Sequence, residues 1–153
     1  MDEGSGAWSA YPPSGSAQVV ALHSAGVLRV EWQAGAEHAF GSDWPVFSME
    51  VLTGIYCAAT RMTPQGTPAG SYFPEHCITV DAALRHLTRA AACACFDERD
   101  EGTLDAGKFA DLVVLSQNIV EEPAERVQGA RVLRTAMGGR DTHRAGDTLD
   151  AFP

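Results

Sequence analysis

The stretch Gly41-Ser42-Asp43-Trp44-Pro45-Val46 decides how the fold of this chain is interpreted. It follows the short run Glu37-His38-Ala39-Phe40 and precedes an apolar segment with helical spacing. We therefore expect the Asp43 carboxylate where a strand gives way to a loop, the position at which barrel folds carry their functional groups. Taken alone the stretch is ambiguous, because Ser-Asp after Gly also forms ordinary turns and helix caps.

A second informative stretch is Gly102-Thr103-Leu104-Asp105-Ala106-Gly107-Lys108-Phe109-Ala110-Asp111-Leu112-Val113-Val114-Leu115. Two glycine-marked turns lead into an apolar, β-branched run, which predicts a tight turn followed by a buried strand. On its own this pattern has a purely structural interpretation.

Further segments lie before, between and after these two in a recognisable order, namely Trp32-Gln33-Ala34-Gly35-Ala36, Gly54-Ile55-Tyr56-Cys57-Ala58-Ala59-Thr60-Arg61, Ile78-Thr79-Val80-Asp81-Ala82-Ala83-Leu84 and Gly138-Gly139-Arg140. Together the segments resemble the C-terminal end of amidohydrolase family 3, within the metal-dependent amidohydrolase superfamily. The resemblance covers about residues 31–140, which correspond to the last part of a full-length family member.

The resemblance implies an α/β fold, the C-terminal part of a (β/α)8 metallo-hydrolase barrel with its last strand and helices, plus part of the adjoining small β-sandwich. We expect the chain to divide into a flexible tail at 1–16, the last portion of the barrel at 17–101, sandwich strands at 102–140 and a loose C-terminus at 141–153. In the barrel portion the strand should end near Gly41, with helices at about 48–61 and 80–95.

Local patterns support these helices and strands. The first helix has an apolar stripe that includes Val51 and Ile55, and Thr79 is the expected N-cap of the second, which should end near Phe96. Between them residues 62–77 are rich in proline and glycine and predict a loop. Strands are expected at 110–115 and 132–137. Beyond Arg140 the sequence is polar and poor in β formers, so the strand that usually follows is expected to be lost.

The resemblance also implies a chemistry for Asp43, which matches the aspartate at the end of the family's last barrel strand. There the aspartate binds a divalent metal, usually zinc, and takes a proton from the metal-bound water as the water attacks a carbonyl carbon. A metal brings the pKa of bound water down to about 7, and a neighbouring carboxylate can relay the proton to the leaving nitrogen. The implied activity is hydrolysis of carbon–nitrogen bonds outside peptides, in a small amide-like substrate.

A complete metal site needs about three or four protein ligands, and one aspartate cannot supply them. The histidines His38, His76, His86 and His143 match none of the family's ligand motifs. A barrel of this type takes about 250 residues, more than the 153 present. We therefore expect a fragment that binds no metal alone, is inactive alone, and self-associates or pairs with a chain that carries the rest of the barrel. The alternative is a non-catalytic remnant or interaction module.

Composition limits the partners and the location. The formal net charge of −9 and the pI near 4.8 disfavour nucleic acid and anionic membrane surfaces. No apolar run reaches the roughly 18 residues of a spanning helix, and the acidic start lacks the features of a secretory signal. We therefore expect a cytoplasmic protein. The four cysteines lack zinc or disulfide spacing, so we interpret them as buried, reduced thiols rather than a redox site.

Overall fold

The elements of the chain are seen in residues 39–42, 44–45 and 49–146, which the computed structural model describes. Helices come first within these ranges and an antiparallel sheet follows. In chain order they are α1 Val51–Thr60, α2 Val80–Leu87, α3 Arg89–Ala94, β1 Leu112–Leu115, β2 Val132–Met137 and β3 Arg140–Arg144. Short 3₁₀ turns lie at Pro74–His76 and Ala124–Gly129.

Helix α1 confirms the first predicted helix, with bounds slightly inside those expected. It buries its C-terminal half, from Ile55 to Ala58 and again at Thr60. The helix stops at Arg61, whose φ of 56° is left-handed and whose N–H donates to the Cys57 carbonyl at 2.9 Å. Such a left-handed residue satisfies carbonyls of the last turn that have no partner within the helix.

Helix α2 begins as the sequence predicts, since the Thr79 hydroxyl accepts a hydrogen bond from Ala82 N at 3.1 Å. The prediction of one helix as far as residue 95 is wrong, because the helix is interrupted at Thr88 (φ −116°, ψ −85°) and restarts as α3. The Thr88 hydroxyl donates to the Leu84 carbonyl at 2.7 Å. This back-bonding is known to bend helices, and it accounts for a break that apolar spacing does not show.

The core lies between the helices and the connection that joins β1 to β2. Ile55 of α1 and Ala83 of α2 meet Val127 of the Ala124–Gly129 turn, and all three are essentially inaccessible to solvent. Ile119 and Ala130 complete this cluster from the same connection. The small Ala83 side chain lets α2 approach closely, and burial of such apolar groups is the main stabilising term.

The sheet has the order β1-β2-β3 and is antiparallel throughout. Val113 pairs with Thr135, and Thr135 pairs with His143, so one row crosses all three strands. The predicted strands at 110–115 and 132–137 are confirmed with bounds close to those expected.

The expectation of a loose C-terminus from residue 141 is wrong for the part that is described, since β3 continues to Arg144. Gly138 and Gly139 both have positive φ and form the turn that brings β3 back beside β2. Asp141 then pairs with Arg134 of β2 and with Arg144. These ion pairs favour a strand whose residues have low intrinsic β propensity, and residues 147–153 lie outside the described ranges.

Other expectations meet the structure only in part. The fold is mixed helix and sheet, while the barrel and sandwich assignments stay predictions. The tail at 1–16 and most of the strand expected before Gly41 lie outside the described residues, and residues 39–42 form neither helix nor strand. Across the described ranges, no helix combines the length and apolarity needed to span a bilayer.

The four cysteines are all described and none forms a disulfide, as predicted. Cys57 is buried and Cys77 is half-buried. The prediction of burial is wrong for Cys93 and Cys95, which are exposed. Helix α3 ends at Ala94, and residues 93–96 at its end are exposed, whereas Ala92 is still buried.

Candidate functional site

The segment that leads to Asp43 is attached to helix α2 through Phe40. Phe40 N donates to the His86 carbonyl at 3.0 Å, and the two rings stack with centroids 4.7 Å apart at 33°. His86 is 7% exposed, so this attachment is part of the interior. The last turn of α2 therefore fixes the backbone three residues before the predicted catalytic aspartate.

Asp43 itself lies outside the described residues, so the structure gives no position for its carboxylate. Its neighbours Gly41, Ser42, Trp44 and Pro45 are described. Trp44 is 63% exposed, which places a large aromatic side chain in solvent directly after the aspartate. An exposed aromatic ring beside a candidate site is a surface available to a substrate or to another polypeptide.

The three described histidines, His76, His86 and His143, lie on different elements of the structure. His86 lies in the interior, His143 is exposed on β3, and His38 is outside the described residues. His76 sits on the Pro74–His76 turn with Nε2 4.0 Å from a Glu75 carboxylate oxygen, and its buried Nδ1 has no hydrogen-bond partner in the described structure. In the described part of the chain, no three His, Cys, Asp or Glu side chains are grouped to hold a metal ion.

Arg61 has a larger role than sequence reasoning gave it. Its side chain is 2% exposed, its Nε donates to the Tyr72 carbonyl at 3.1 Å, and its own carbonyl accepts from Tyr72 N at 2.9 Å. Arg61 and Tyr72 thus close the proline- and glycine-rich loop between them. The sequence places Arg61 at the end of the helix expected at about 48–61, and that position gives no sign of its contact with Tyr72.

The loop closed by Arg61 is ordered from within by two threonines. The Thr63 and Thr67 hydroxyls are 2.8 Å apart, and Thr63 N donates to the Thr67 carbonyl at 2.8 Å. Thr67 N in turn donates to the Thr63 hydroxyl at 3.3 Å. These local bonds give the loop a defined shape without regular secondary structure.

Among the described residues, the pKa is clearly shifted for two side chains, Cys57 and Asp141. Burial raises the pKa of the Cys57 thiol to about 12, so the thiol is neutral and unreactive near neutral pH. Hydrogen bonds from Arg134 and Arg144 hold the pKa of Asp141 below its usual value. Both effects are structural, since one group lies in the core and the other on the sheet.

Comparison with known proteins identifies the family of this chain, which the described contacts alone do not. The sequence model of the amidohydrolase family matches residues 22–143, most of the chain and all of the described site segment. The chain belongs to the amidohydrolase family. This amidohydrolase-family chain is 38% identical over 105 residues to Protein LONG AFTER FAR-RED 3 from Arabidopsis thaliana, a match that covers 69% of the chain and 18% of that protein.

Two bacterial relatives also match. N-substituted formamide deformylase from Arthrobacter pascens is 32% identical over 112 residues, covering 73% of the amidohydrolase-family chain and 20% of the relative. The putative amidohydrolase YtcJ from Bacillus subtilis (strain 168) is 26% identical over 102 residues, covering 67% and 19%. The chain therefore spans about a fifth of the length of the curated relatives it matches.

A solved structure supports the fold. The crystal structure of an amidohydrolase from Thermotoga maritima MSB8 matches with a TM-score of 0.58 and 20% sequence identity. The match covers 78% of this amidohydrolase-family chain and 26% of the Thermotoga chain. At this identity the likeness shows the fold alone.

Proposed function

We propose that this chain supplies the Asp43-bearing part of a hydrolase that acts on carbon–nitrogen bonds outside peptides. In this role the Asp43 carboxylate accepts a proton from the attacking water and passes it to the leaving nitrogen. The single observation that carries the proposal is the family match, which spans residues 22–143 and so includes Asp43 and the segments on both sides. The attachment of Phe40 to α2 supports it, because a catalytic carboxylate needs a fixed backbone.

The described residues do not complete a metal site. The family resemblance implies a divalent metal, with zinc expected, and such sites use three or more protein ligands. The described residues hold no group of that kind, and Asp43 is the ligand that the family resemblance implies for this chain. Metal-dependent activity therefore requires ligands from another part of an amidohydrolase, and we expect the chain to be inactive alone.

The substrate class is proposed from one relative. The Arthrobacter pascens protein is named for N-substituted formamides, so N-substituted formamides and other small amides are the first compounds to test here. The cytoplasmic location and the lack of nucleic-acid or membrane partners stay predictions from composition.

A graft tests the role of Asp43. The segment of the Arthrobacter pascens deformylase that matches this chain would be replaced by residues 31–140, and zinc content and formamide hydrolysis would be measured. We expect an active graft whose Asp43→Asn variant loses about a hundredfold to ten-thousandfold of the rate and binds less zinc. Ser42→Ala is the matched control and should keep most of the activity. A graft that hydrolyses formamide equally well with Asn at position 43 contradicts the proposal.

The isolated chain provides the complementary assay. Purified protein with added zinc or manganese would be incubated with acylated amines and hydantoin-like amides, and we expect no turnover. Turnover that disappears in Asp43→Asn would show that the chain completes its own site.

A non-catalytic interaction module is the second candidate, and one observation favours it. The buried residues of the described cluster come from α1, α2 and the β1–β2 connection, with Phe40 packed against it from the segment before Asp43, so most of the described core belongs to elements other than that segment. A correctly folded graft that binds no zinc would favour this alternative.

A further inference from the structure

Two of the four cysteines stand close together at the end of helix α3. Cys93 lies in the last turn of this six-residue helix, and Cys95 is its C-cap. Both side chains are exposed, whereas Cys57 is buried. Cysteine is among the residue types most often found buried. Packing therefore does not account for two exposed thiols that are separated by a single residue.

The distance between these two residues suits a disulfide, but their directions do not. Residues i and i+2 of an α-helix have Cα atoms about 5.4 Å apart, within the range of about 4.4 to 6.8 Å found across disulfides. They are also separated by a rotation of about 200° around the helix axis, so their Cβ atoms point apart. A bond between Cys93 and Cys95 therefore requires the backbone at the end of α3 to move.

The end of α3 is held by few hydrogen bonds. Cys95 N donates to the Ala91 and Ala92 carbonyls at 3.2 and 3.1 Å. Phe96 N donates to the Cys93 carbonyl at 3.1 Å. Phe96 is 89% exposed and has a left-handed φ of 63°, a conformation that is strained for a residue with a side chain. An exposed turn of this kind opens at low free energy, and opening releases the strain.

We propose that Cys93 and Cys95 form a redox-sensitive site, which a low-molecular-weight disulfide such as oxidised glutathione converts reversibly to an intramolecular disulfide as the last turn of α3 opens. Such a site is independent of the hydrolase function proposed above. It takes the place of the buried thiols that the sequence led us to expect at these two positions.

Oxidation takes two thiol–disulfide exchanges. In the first, one cysteine thiolate attacks a sulfur of oxidised glutathione, which forms a protein–glutathione disulfide and releases one glutathione thiolate. In the second, the neighbouring cysteine thiolate attacks the protein sulfur of this mixed disulfide, which forms the Cys93–Cys95 bond and releases the second glutathione thiolate. The two released thiolates take up the two protons that the cysteines lose. The protein dithiol is oxidised by two electrons, and these reduce the glutathione disulfide.

The packing of the next turn limits how far the helix opens. Asp97 N donates to the Ala92 carbonyl at 2.9 Å, and a Cβ on Gly102 would lie 2.8 Å from the Ala92 Cβ. Ala92 is 8% exposed, whereas residues 93–96 are exposed. We therefore expect the backbone to move between Cys93 and Asp97, while the contact between Ala92 and Gly102 is kept.

Peptide mapping of the full chain tests the bond directly. Trypsin cleaves after Arg89 and Arg99, and the resulting peptide, residues 90–99, holds both exposed cysteines and neither Cys57 nor Cys77. The reduced protein would be incubated with oxidised glutathione at neutral pH, alkylated and digested. We expect this peptide to lose two hydrogens and to carry neither glutathione nor the alkyl group. Dithiothreitol added before alkylation should return it to the dithiol form.

Single variants show whether the two thiols act as a pair. Cys93→Ser and Cys95→Ser each remove the thiol that resolves the mixed disulfide. The remaining cysteine should therefore hold about tenfold more glutathione than the same peptide of the wild type, in which the second thiol is present at high effective concentration. Cys77→Ser is the matched control, since it removes a half-buried thiol outside the pair and should leave the oxidised peptide unchanged.

Hydrogen exchange resolved by residue tests the opening of α3. The amides of Phe96 and Asp97, which are bonded to α3 carbonyls in the structure, should exchange about tenfold faster or more in the oxidised protein. The amide of Ala83 in α2 is bonded to the Thr79 carbonyl at 3.0 Å and should not change.

Several results would overturn the site. They are a peptide 90–99 that stays fully reduced, one that carries two glutathione groups instead of an internal bond, and a bond that disappears in Cys77→Ser. Unchanged exchange of Phe96 and Asp97 in protein that contains the bond would contradict the opening of the helix.

Discussion

Arg61 combines two demands at one position, a left-handed backbone with φ of 56° and a side chain that is 2% exposed. Its Nε bond to the Tyr72 carbonyl holds the following loop closed. We expect Arg61→Ala to lower the free energy of unfolding by about 2 kcal/mol, because it removes a charged donor from the partly buried Tyr72 carbonyl. Urea denaturation followed by circular dichroism would measure the loss.

Arg61→Gly is the matched control for the backbone contribution. It removes the same side chain, but glycine adopts positive φ without steric cost, so it should be about 1 kcal/mol more stable than the alanine variant. Equal free energies of unfolding for the two variants would mean that the left-handed conformation at residue 61 carries no steric penalty for alanine, which would contradict the prediction.

Cys57 makes the free energy of unfolding depend on pH, and the direction of this dependence follows from its pKa. Burial raises the pKa of its thiol to about 12, from a reference value of 9.0. The unfolded chain then releases this proton at lower pH than the folded chain, so the stabilising contribution is complete below pH 9 and is lost as pH rises toward 12. Cys57→Ala should abolish this part of the decline.

The measurement compares the free energy of unfolding of wild type and Cys57→Ala from pH 8 to the alkaline limit of the fold. Because tyrosines and lysines titrate in the same range, only the difference between the two curves reports Cys57. Parallel curves would contradict the assignment.

A thiol reagent at pH 8 should modify the exposed Cys93 and Cys95 rapidly and Cys57 only on unfolding.

Sequence reasoning succeeded at residues whose role is local. Thr79 is recognisable as a cap because its bond reaches only to Ala82 N. Arg61 was seen only as the end of a helix, because its partner Tyr72 lies across a loop whose path the sequence does not give. The site residue Asp43 was identified by resemblance to a family, and no described contact tests its role.

At the scale of elements, the turn after α3 is packed directly on that helix at Gly102. A Cβ at Gly102 would lie 2.8 Å from the Ala92 Cβ and 3.0 Å from the Arg89 Cα, and φ there is +83°. We expect Gly102→Ala to destabilise the protein by about 3 kcal/mol, through overpacking together with backbone strain. Thermal and urea unfolding would report it.

Gly107 separates these two causes. Its φ is also positive, +99°, but a Cβ there would meet nothing within 4 Å. Gly107→Ala should therefore cost about 1 kcal/mol, the backbone contribution alone. If the two variants were equally destabilised, close packing of the turn on α3 would not be the cause of the glycine requirement at Gly102.

The break at Thr88 and strand β3 were not predicted, because each depends on side-chain contacts that the amino-acid sequence does not reveal. The break at Thr88 arises from a side chain that bonds to the Leu84 carbonyl, although the apolar stripe continues past it. Strand β3 has a polar sequence, and its pairing is supported by Asp141 with Arg134 of the neighbouring strand. Propensity describes a residue in isolation, whereas this strand is stabilised by a partner on another strand.

At the scale of the whole molecule, the buried side chains are unevenly distributed. The core cluster unites α1, α2 and the connection at 116–130, whereas every residue of β3 is exposed. Segments with few buried apolar contacts open at lower free energy than the core. The sheet should therefore open in part without unfolding the helices.

Hydrogen exchange resolved by residue tests this division. Amides of α1, such as that of Ala58, should exchange only with global unfolding, and amides of β3 that are hydrogen-bonded to β2 should exchange at a free energy lower by about 2 kcal/mol or more. Ala83 N, bonded to the Thr79 carbonyl at 3.0 Å, serves as the reference for α2 and should follow α1. Exchange of Ala83 together with β3 would contradict the division between helices and sheet.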